Sequence, residues 1–291
     1  MSVLVPLIKS MRPKQWAKNV FVLAALVFDK KLFVPSILWR ALAALVLFCA
    51  ISGAVYLIND LVDVEKDRQH PVKCKRPLAS GQLSRSVAAT GALILGVGSP
   101  FLAYQLDPAF AGVALIYFVL MVGYSFWLKN IVIIDVLALA AGFVLRVAAG
   151  VVVVEAERFS PWLYLCMSLL ALFIAITKRR HELVLLNENA NSHRSIFEEY
   201  NLSLLDEMIR LVTACTAMAY SLYTFSASNL PANHSMMLTI PLVLYALFRY
   251  MYLVHIKGEG GAPEDLVFGD KPLLACVMLW GLAVVLVLYL F

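Results

Sequence analysis

Residues 45–78, LVLFCAISGAVYLINDLVDVEKDRQHPVKCKRPL, decide how this chain is built. Positions 45–58 form an unbroken apolar run of the kind that fills a membrane helix. Asn59 and the aspartates Asp60, Asp63 and Asp67 then collect at that helix's end, with His70, Lys73, Lys75 and Arg76 directly behind them. Ionisable residues emerging from a membrane helix point to function rather than to a solvated loop. The rest of the chain has to explain why acid and base meet there.

Working outward, the 291 residues are 62% hydrophobic and only 15% charged, with a mean hydropathy of +0.83. That composition excludes a soluble globular domain. A span needs roughly 20 residues, and apolar stretches of that length recur at 15–33, 38–58, 86–105, 110–128, 131–152, 161–178, 205–228, 235–255 and 272–291. The expectation is an all-α polytopic membrane protein, a single domain over 1–291, with about nine helices. Short turns at QLDPA, EAERFSP and NLPANHS alternate with longer charged segments.

The charged segments and their helix ends carry 19 of the 24 Lys and Arg, whereas the short-turn side has only Lys30, Lys31, Arg40 and Arg158. The positive-inside rule therefore places the long segments on the cytoplasmic side of the plasma membrane. Part of the net charge of +5 serves topology and attraction to anionic lipid. No interleaving of basic and aromatic residues suggests nucleic acid as a partner. Cys49, Cys74, Cys166, Cys215 and Cys276 have no spacing that suggests a disulfide frame or a zinc site. The N-terminal MSVLVPLIKSMRPKQW lacks the pattern of a cleavable signal, and its Val3, Leu4, Leu7, Ile8 and Met11 suit a short interfacial helix.

On a helix, Asn59, Asp63 and Asp67 share one stripe at four-residue spacing, with Asp60 beside them. Like charges so placed repel unless a cation neutralises them. Oxygen-only ligands favour a hard ion, and Mg2+ held by one or two carboxylates together with substrate phosphates is the usual arrangement. Asn59, Asp60, Asp63 and Asp67 are therefore the candidate metal ligands, and the three aspartates the candidate catalytic residues. Arg68, Lys73 and Arg76 follow as candidate phosphate-binding cations.

NDxxDxxxD followed by the basic, proline-punctuated RQHPVKCKRPLASG resembles the first aspartate-rich motif of the UbiA superfamily of intramembrane prenyltransferases. The resemblance implies a nine-helix bundle around a cytoplasm-facing cavity, with Mg2+ bridging a diphosphate to the aspartates. A second motif, DxxxD, is expected after the sixth helix, and ITKRRHELVLL stands there instead. Lys178, Arg179 and Arg180 take its place. With RPKQWAKN at 12–19, YSFWLKNIVIID at 124–135 and GFVLRVAAG at 142–150, this is similar to the decaprenyl-phosphate phosphoribosyltransferase branch. That likeness implies transfer of a 5-phosphoribosyl group from 5-phosphoribosyl 1-diphosphate (PRPP) to a polyprenyl phosphate. Substrates that both carry phosphomonoesters call for cations where a prenyl diphosphate would call for carboxylates.

Lys14 and Lys18 lie four apart at the cytoplasmic end of the first span, suited to phosphate or to headgroups. Lys129 and, more weakly, Tyr124 stand at the end of the fourth, where a phosphate meets an ammonium and a phenol. Asp135 and Arg146 sit within an apolar helix, where a charge requires a partner or an aqueous cavity, and are expected to line the cavity. The polar segment 181–208 reads as a lid or as an ordinary connection, and the glycines of GEGGAPEDLVFGDK give a weak phosphate-loop signal. Two other functions fit less well. A prenyltransferase using an isoprenyl diphosphate is disfavoured by the Lys-Arg-Arg run, and a secondary transporter is disfavoured by charge gathered at one face without an internal repeat.

Overall fold

The computed structural model describes residues 3–70, 72–156, 160–186, 196, 199–261 and 263–290. Among these every regular element is helical. α1 is Leu4–Ser10. A 3-10 segment, Pro13–Leu23, continues into α2, Ala24–Phe28. α3 (Pro35–Gln69), α4 (Arg85–Leu106), α5 (Pro108–Phe126) and α6 (Ile134–Val154) follow. The chain continues with α7 (Pro161–Leu186), α8 (Leu202–Ser226), α9 (Ile240–His255), α10 (Pro263–Gly269) and α11 (Lys271–Leu290).

Among the described residues seven helices are long and apolar enough to cross a membrane: α3 to α7, α9 with the 3-10 turn before it, and α11. They coincide with seven of the nine expected spans. Of the other two, 15–33 falls on the 3-10 segment and the short α2, and 205–228 falls on α8, which carries Asp206, Glu207 and Arg210. The segment read as a lid or connection lies partly outside the described residues, at 187–195 and 197–198.

The chain groups into two units, Met1–Ala24 with Val34–Ala138 and Leu145–Glu155, and Ala25–Phe33 with Leu139–Val144 and Ala156–Phe291. In the first, α3 is the hub. Its Ala44, Phe48, Ile51 and Val55 pack with Ala103, Phe110, Ala114, Tyr117 and Ala149, and the Phe48 and Tyr117 ring centroids lie 4.8 Å apart. Small residues opposite rings let backbones approach, which is how helices associate where lipid supplies no hydrophobic drive. The closest approach is at Gly150: a Cβ there would fall inside the contact radius of the Val22 carbonyl oxygen. In α1, Leu7 packs on the unit with Met11, whereas Leu4 and Ile8 are exposed, so only part of the expected interfacial stripe faces outward.

One end of this unit is tied by Arg40, which donates to Glu155 at 2.7 Å and to Asp107 at 3.2 Å. Asp107 also caps α5 by accepting from the Ala109 and Phe110 amides, ahead of Pro108 at the first helical position. Asp107 and Glu155, from two of the three short turns of the sequence reading, thus meet at one end of the unit. The carboxylates occupy the other end of α3.

In the second unit α7 packs on α8, and α9 on α11. The Trp280 indole donates to the Tyr220 hydroxyl at 2.8 Å, which shares a 2.6 Å hydrogen bond with Thr239. Arg249 makes a two-pronged contact with Asp270, at 3.1 and 2.8 Å, and Asp270 accepts from the Leu273 amide at the start of α11.

Candidate active site

The helix that begins at Pro35 does not stop where its apolar run stops; it continues through Gln69, with Lys66 and Arg68 in the last turn to favour the C-terminal end of its dipole. Its final turns bury Asp60, Asp63 and Asp67, at 2%, 8% and 5% exposure, with Asn59 half-buried beside them. Buried carboxylates require partners. Three cationic side chains from three separate stretches supply them.

Arg12 precedes the 3-10 segment with a left-handed backbone, φ 55°, and donates from Nη2 to Asp60 Oδ1, its guanidinium 4.9 Å from the centre of the Tyr56 ring. Arg76 donates from Nη1 to Asp67 Oδ2 at 2.5 Å and to Asp60 Oδ1 at 3.2 Å. The turn that returns Arg76 to α3 is shaped by His70, whose Nδ1 accepts from the Val72 and Lys73 amides at 3.1 and 3.3 Å. Burial, and next the Arg12 guanidinium, pull Arg76 below the usual guanidinium value. Lys129, in the 3-10 turn after α5 and only 3% exposed, donates from Nζ to Asp63 Oδ1 at 2.5 Å. The repulsion that the spacing predicted is thus answered by the chain's own cations.

The donors of this centre suit a divalent ion. They are hard oxygens, and Asp60 Oδ2 is buried with no hydrogen-bond partner. Asp60 and Asp67 meet at Arg76 Nη1, but among the described residues no three acidic, His or Cys side chains form a complete metal site. An ion here would be held by one or two carboxylates and would complete its shell with ligand oxygens.

Other expected site residues divide between the units. In the first, Lys14 is exposed and Lys18 half-buried. Arg68 is exposed and pairs with Glu65 at 3.0 Å. Lys73 is half-buried, and Tyr124 packs against the α3 core. Asp135 and Arg146 are both buried in α6. Arg146 donates from Nε to Asn19 Oδ1 and from Nη2 to the Tyr117 hydroxyl, each at 2.8 Å.

In the second unit Lys178 is half-buried. Arg179 pairs with Glu182 at 2.5 Å, and Arg180 with Asp206 at 2.5 Å. Asp206 also faces His255 Nε2 at 3.3 Å. The glycine loop after α9 packs on His181, whose Nδ1 is 3.1 Å from the Gly258 carbonyl, and Gly258 itself has φ +68°. Those glycines have a conformational reason beside any phosphate role.

Sequence reasoning passed over Arg12, Asn19 and Tyr117. RPKQWAKN contains the first two, but the lysines were the residues singled out. Asn19 is buried, with its amide donating to Ser52 Oγ at 3.1 Å and to Cys49 Sγ at 3.2 Å.

The UbiA prenyltransferase family model matches residues 19–264. A decaprenyl-phosphate phosphoribosyltransferase of Corynebacterium glutamicum is 32% identical, covering 98% of this chain and 87% of the relative. One of Mycobacterium tuberculosis is also 32% identical, covering 94% of this chain and 91% of the relative. In fold, the chain is similar to a solved UbiA homologue from Archaeoglobus fulgidus bound to GPP and Mg2+, with a TM-score of 0.73 at 18% identity, covering 97% of this chain and 99% of that one. An all-helical membrane architecture, buried carboxylates closing a long apolar helix and likeness over nearly the whole length agree: the chain is a multi-pass membrane enzyme and belongs to the UbiA prenyltransferase family.

Proposed function

We propose that this enzyme moves a 5-phosphoribosyl group from PRPP to a polyprenyl phosphate and releases diphosphate. The observation that carries the reading is the paired centre on α3, where Asp60, Asp63 and Asp67 each face a cationic side chain. Such a centre suits a polyanion that arrives with a metal ion. The choice of donor is supported by Lys178, Arg179 and Arg180 standing where a second carboxylate motif would serve a prenyl diphosphate, and by the names of the relatives.

In this reading the bond from the anomeric carbon to diphosphate breaks, its electron pair leaving with the diphosphate oxygen, and a phosphate oxygen of the acceptor bonds to that carbon. One or two of the carboxylates Asp60, Asp63 and Asp67, with Asn59 beside them, would hold Mg2+, which when bound supplies neutralising charge for the leaving group. Arg12, Arg76 and Lys129 donate to phosphate oxygens as charge develops in the oxocarbenium-like transition state. The acceptor phosphate is already ionised at neutral pH, so no strong general base is needed. Lys14, Lys18, Arg68, Lys73, Tyr124 and the Lys178–Arg180 run are the further candidates for donor and acceptor phosphates, with Asp135 and Arg146 deeper in α6.

The test is direct. Purified protein with Mg2+ is offered labelled PRPP and polyprenyl phosphate, and separately a prenyl diphosphate with aromatic acids. A lipid-linked phosphoribose in the first mixture is the expected product; product only in the second would give the chain to the prenyltransferases.

If the α7 cations bind substrate phosphate, Lys178→Ala and Arg180→Ala each raise KM for PRPP or for the acceptor about 10-fold or more, the equivalent of about 1.5–3 kcal/mol per charge-assisted contact. Unchanged constants for both substrates would leave Lys178 as a topology signal and Arg180 as the partner of Asp206.

PRPP is a soluble, highly charged metabolite, so the catalytic end must face the cytoplasm, as the distribution of Lys and Arg suggests. In a background without the five native cysteines, a cysteine at the exposed Gln82 should react with a membrane-impermeant thiol reagent only in inverted vesicles. One at the exposed Asn233 should react only in right-side-out vesicles. Labelling of both from one side would refute this topology.

A further inference from the structure

We infer that Arg146 acts as a positioning residue: through Asn19 it seats the 3-10 segment Pro13–Leu23, and so holds Arg12 on Asp60. A guanidinium inside a membrane helix is retained only where it is solvated by protein. Here it is solvated by the Asn19 amide oxygen and the Tyr117 hydroxyl, each at 2.8 Å, and by the Tyr117 ring, 4.7 Å from the guanidinium carbon. One side chain of α6 therefore fastens to α5 and to the 3-10 segment at once.

Asn19 is well suited to receive it. With Oδ1 committed to Arg146, its Nδ2 faces Ser52 Oγ and Cys49 Sγ on α3, so the amide has one satisfied orientation. Three residues further on, the Val22 carbonyl lies against Gly150, one turn beyond Arg146 on α6. At the other end of the segment, the Trp16 indole donates to the Met11 carbonyl at 3.0 Å. Met11 packs on Gly53, where a Cβ would come within 2.8 Å of its Cε.

Between these anchors Arg12 adopts φ 55°, a conformation costly for a residue with a Cβ and maintained only by its surroundings. A 3-10 segment has weaker internal hydrogen bonding than an α-helix, so it does not hold that geometry by itself. The Arg146 contacts supply what the segment lacks, and the product is a guanidinium delivered to Asp60 from 48 residues away. This role rests on the placement of Asp60 in the proposed catalytic centre, whereas the seating of the segment does not.

The experiment reads both. In purified protein, Arg146→Met should speed backbone hydrogen exchange across Met11–Leu23 by about tenfold or more while α4 keeps its protection. In the transfer assay it should lower kcat by about 100-fold, as for a misplaced catalytic group, with KM for both substrates moving less than about twofold. In an Arg12→Ala background, Arg146→Met should add little further loss, because the two act in series. If Arg146→Met does not fold, Tyr117→Phe, which deletes one hydroxyl, takes its place in both measurements with the same directions expected. Unchanged exchange in Met11–Leu23 overturns the seating, whichever substrates the enzyme uses. A large rise in KM with kcat retained, or losses that multiply with those of Arg12→Ala, overturns the positioning role and makes Arg146 a substrate contact.

Discussion

Asp63→Asn is expected to lower turnover on the order of 100-fold or more and to lower thermal stability as well. The first effect follows from removing a central carboxylate of the proposed metal and diphosphate centre. The second follows from Lys129, whose ammonium lies 2.5 Å from Asp63 Oδ1 with both side chains nearly buried. Breaking one side of such a buried pair weakens the compensation of the ammonium, at a cost of up to about 3–5 kcal/mol. The two effects separate in the double variant Asp63→Asn/Lys129→Met, which removes the ammonium as well. Its melting temperature in detergent should recover most of the loss while its turnover does not. Wild-type-like activity with Mg2+ in either variant would remove Asp63 from the catalytic centre, and full stability of the single variant would remove the buried pair.

Gly150→Ala is the second large change. A single methyl there meets the Val22 carbonyl oxygen, which belongs to backbone and cannot rotate away. The 3-10 segment has to lift from α6, and the penalty should reach the upper end of the roughly 1–3 kcal/mol typical of overpacking. Fluorescence-detected size exclusion after heating should show monodisperse protein lost at a lower temperature. Arg12 is displaced with the segment, so activity falls even where folded protein is recovered. Unaltered heat resistance together with unaltered turnover would mean that the contact relaxes freely. Gly98→Ala, where a Cβ meets nothing within 4 Å, is the matched control.

The membrane class and the acidic end of α3 were legible in the sequence because both depend on local pattern. Hydropathy marks spans, and carboxylates three and four apart mark a face. The expected span 38–58 ended where charge began, yet the helix runs on to Gln69, since backbone hydrogen bonding does not stop at a lipid boundary. Lys129 was legible as a cation at a helix end, but its partner Asp63 lies 66 residues away, a pairing that no local spacing encodes. Arg12 was hidden for the same reason, its partner Asp60 lying 48 residues away. Tyr117 had no signal at all, being one aromatic among many in an apolar span. Its hydroxyl acquires meaning only when packing brings Arg146 to it.

The length of α3 sets the kind of kinetics the enzyme can obey. At about 1.5 Å per residue, Asp60 lies about 38 Å along the helix from Pro35, whereas bilayer hydrocarbon is about 30 Å thick. Counted from a start at one face of the hydrocarbon, α3 carries the carboxylates past the other face to the level of the lipid headgroups, the depth of a phosphate on an isoprenoid tail. The acceptor proposed above would approach by lateral diffusion within one leaflet, without being lifted out of it. Its effective concentration is then its mole fraction among the surrounding lipids, not its amount per volume. Adding inert lipid at fixed enzyme and acceptor should slow transfer by surface dilution, while the soluble donor continues to saturate as in three dimensions.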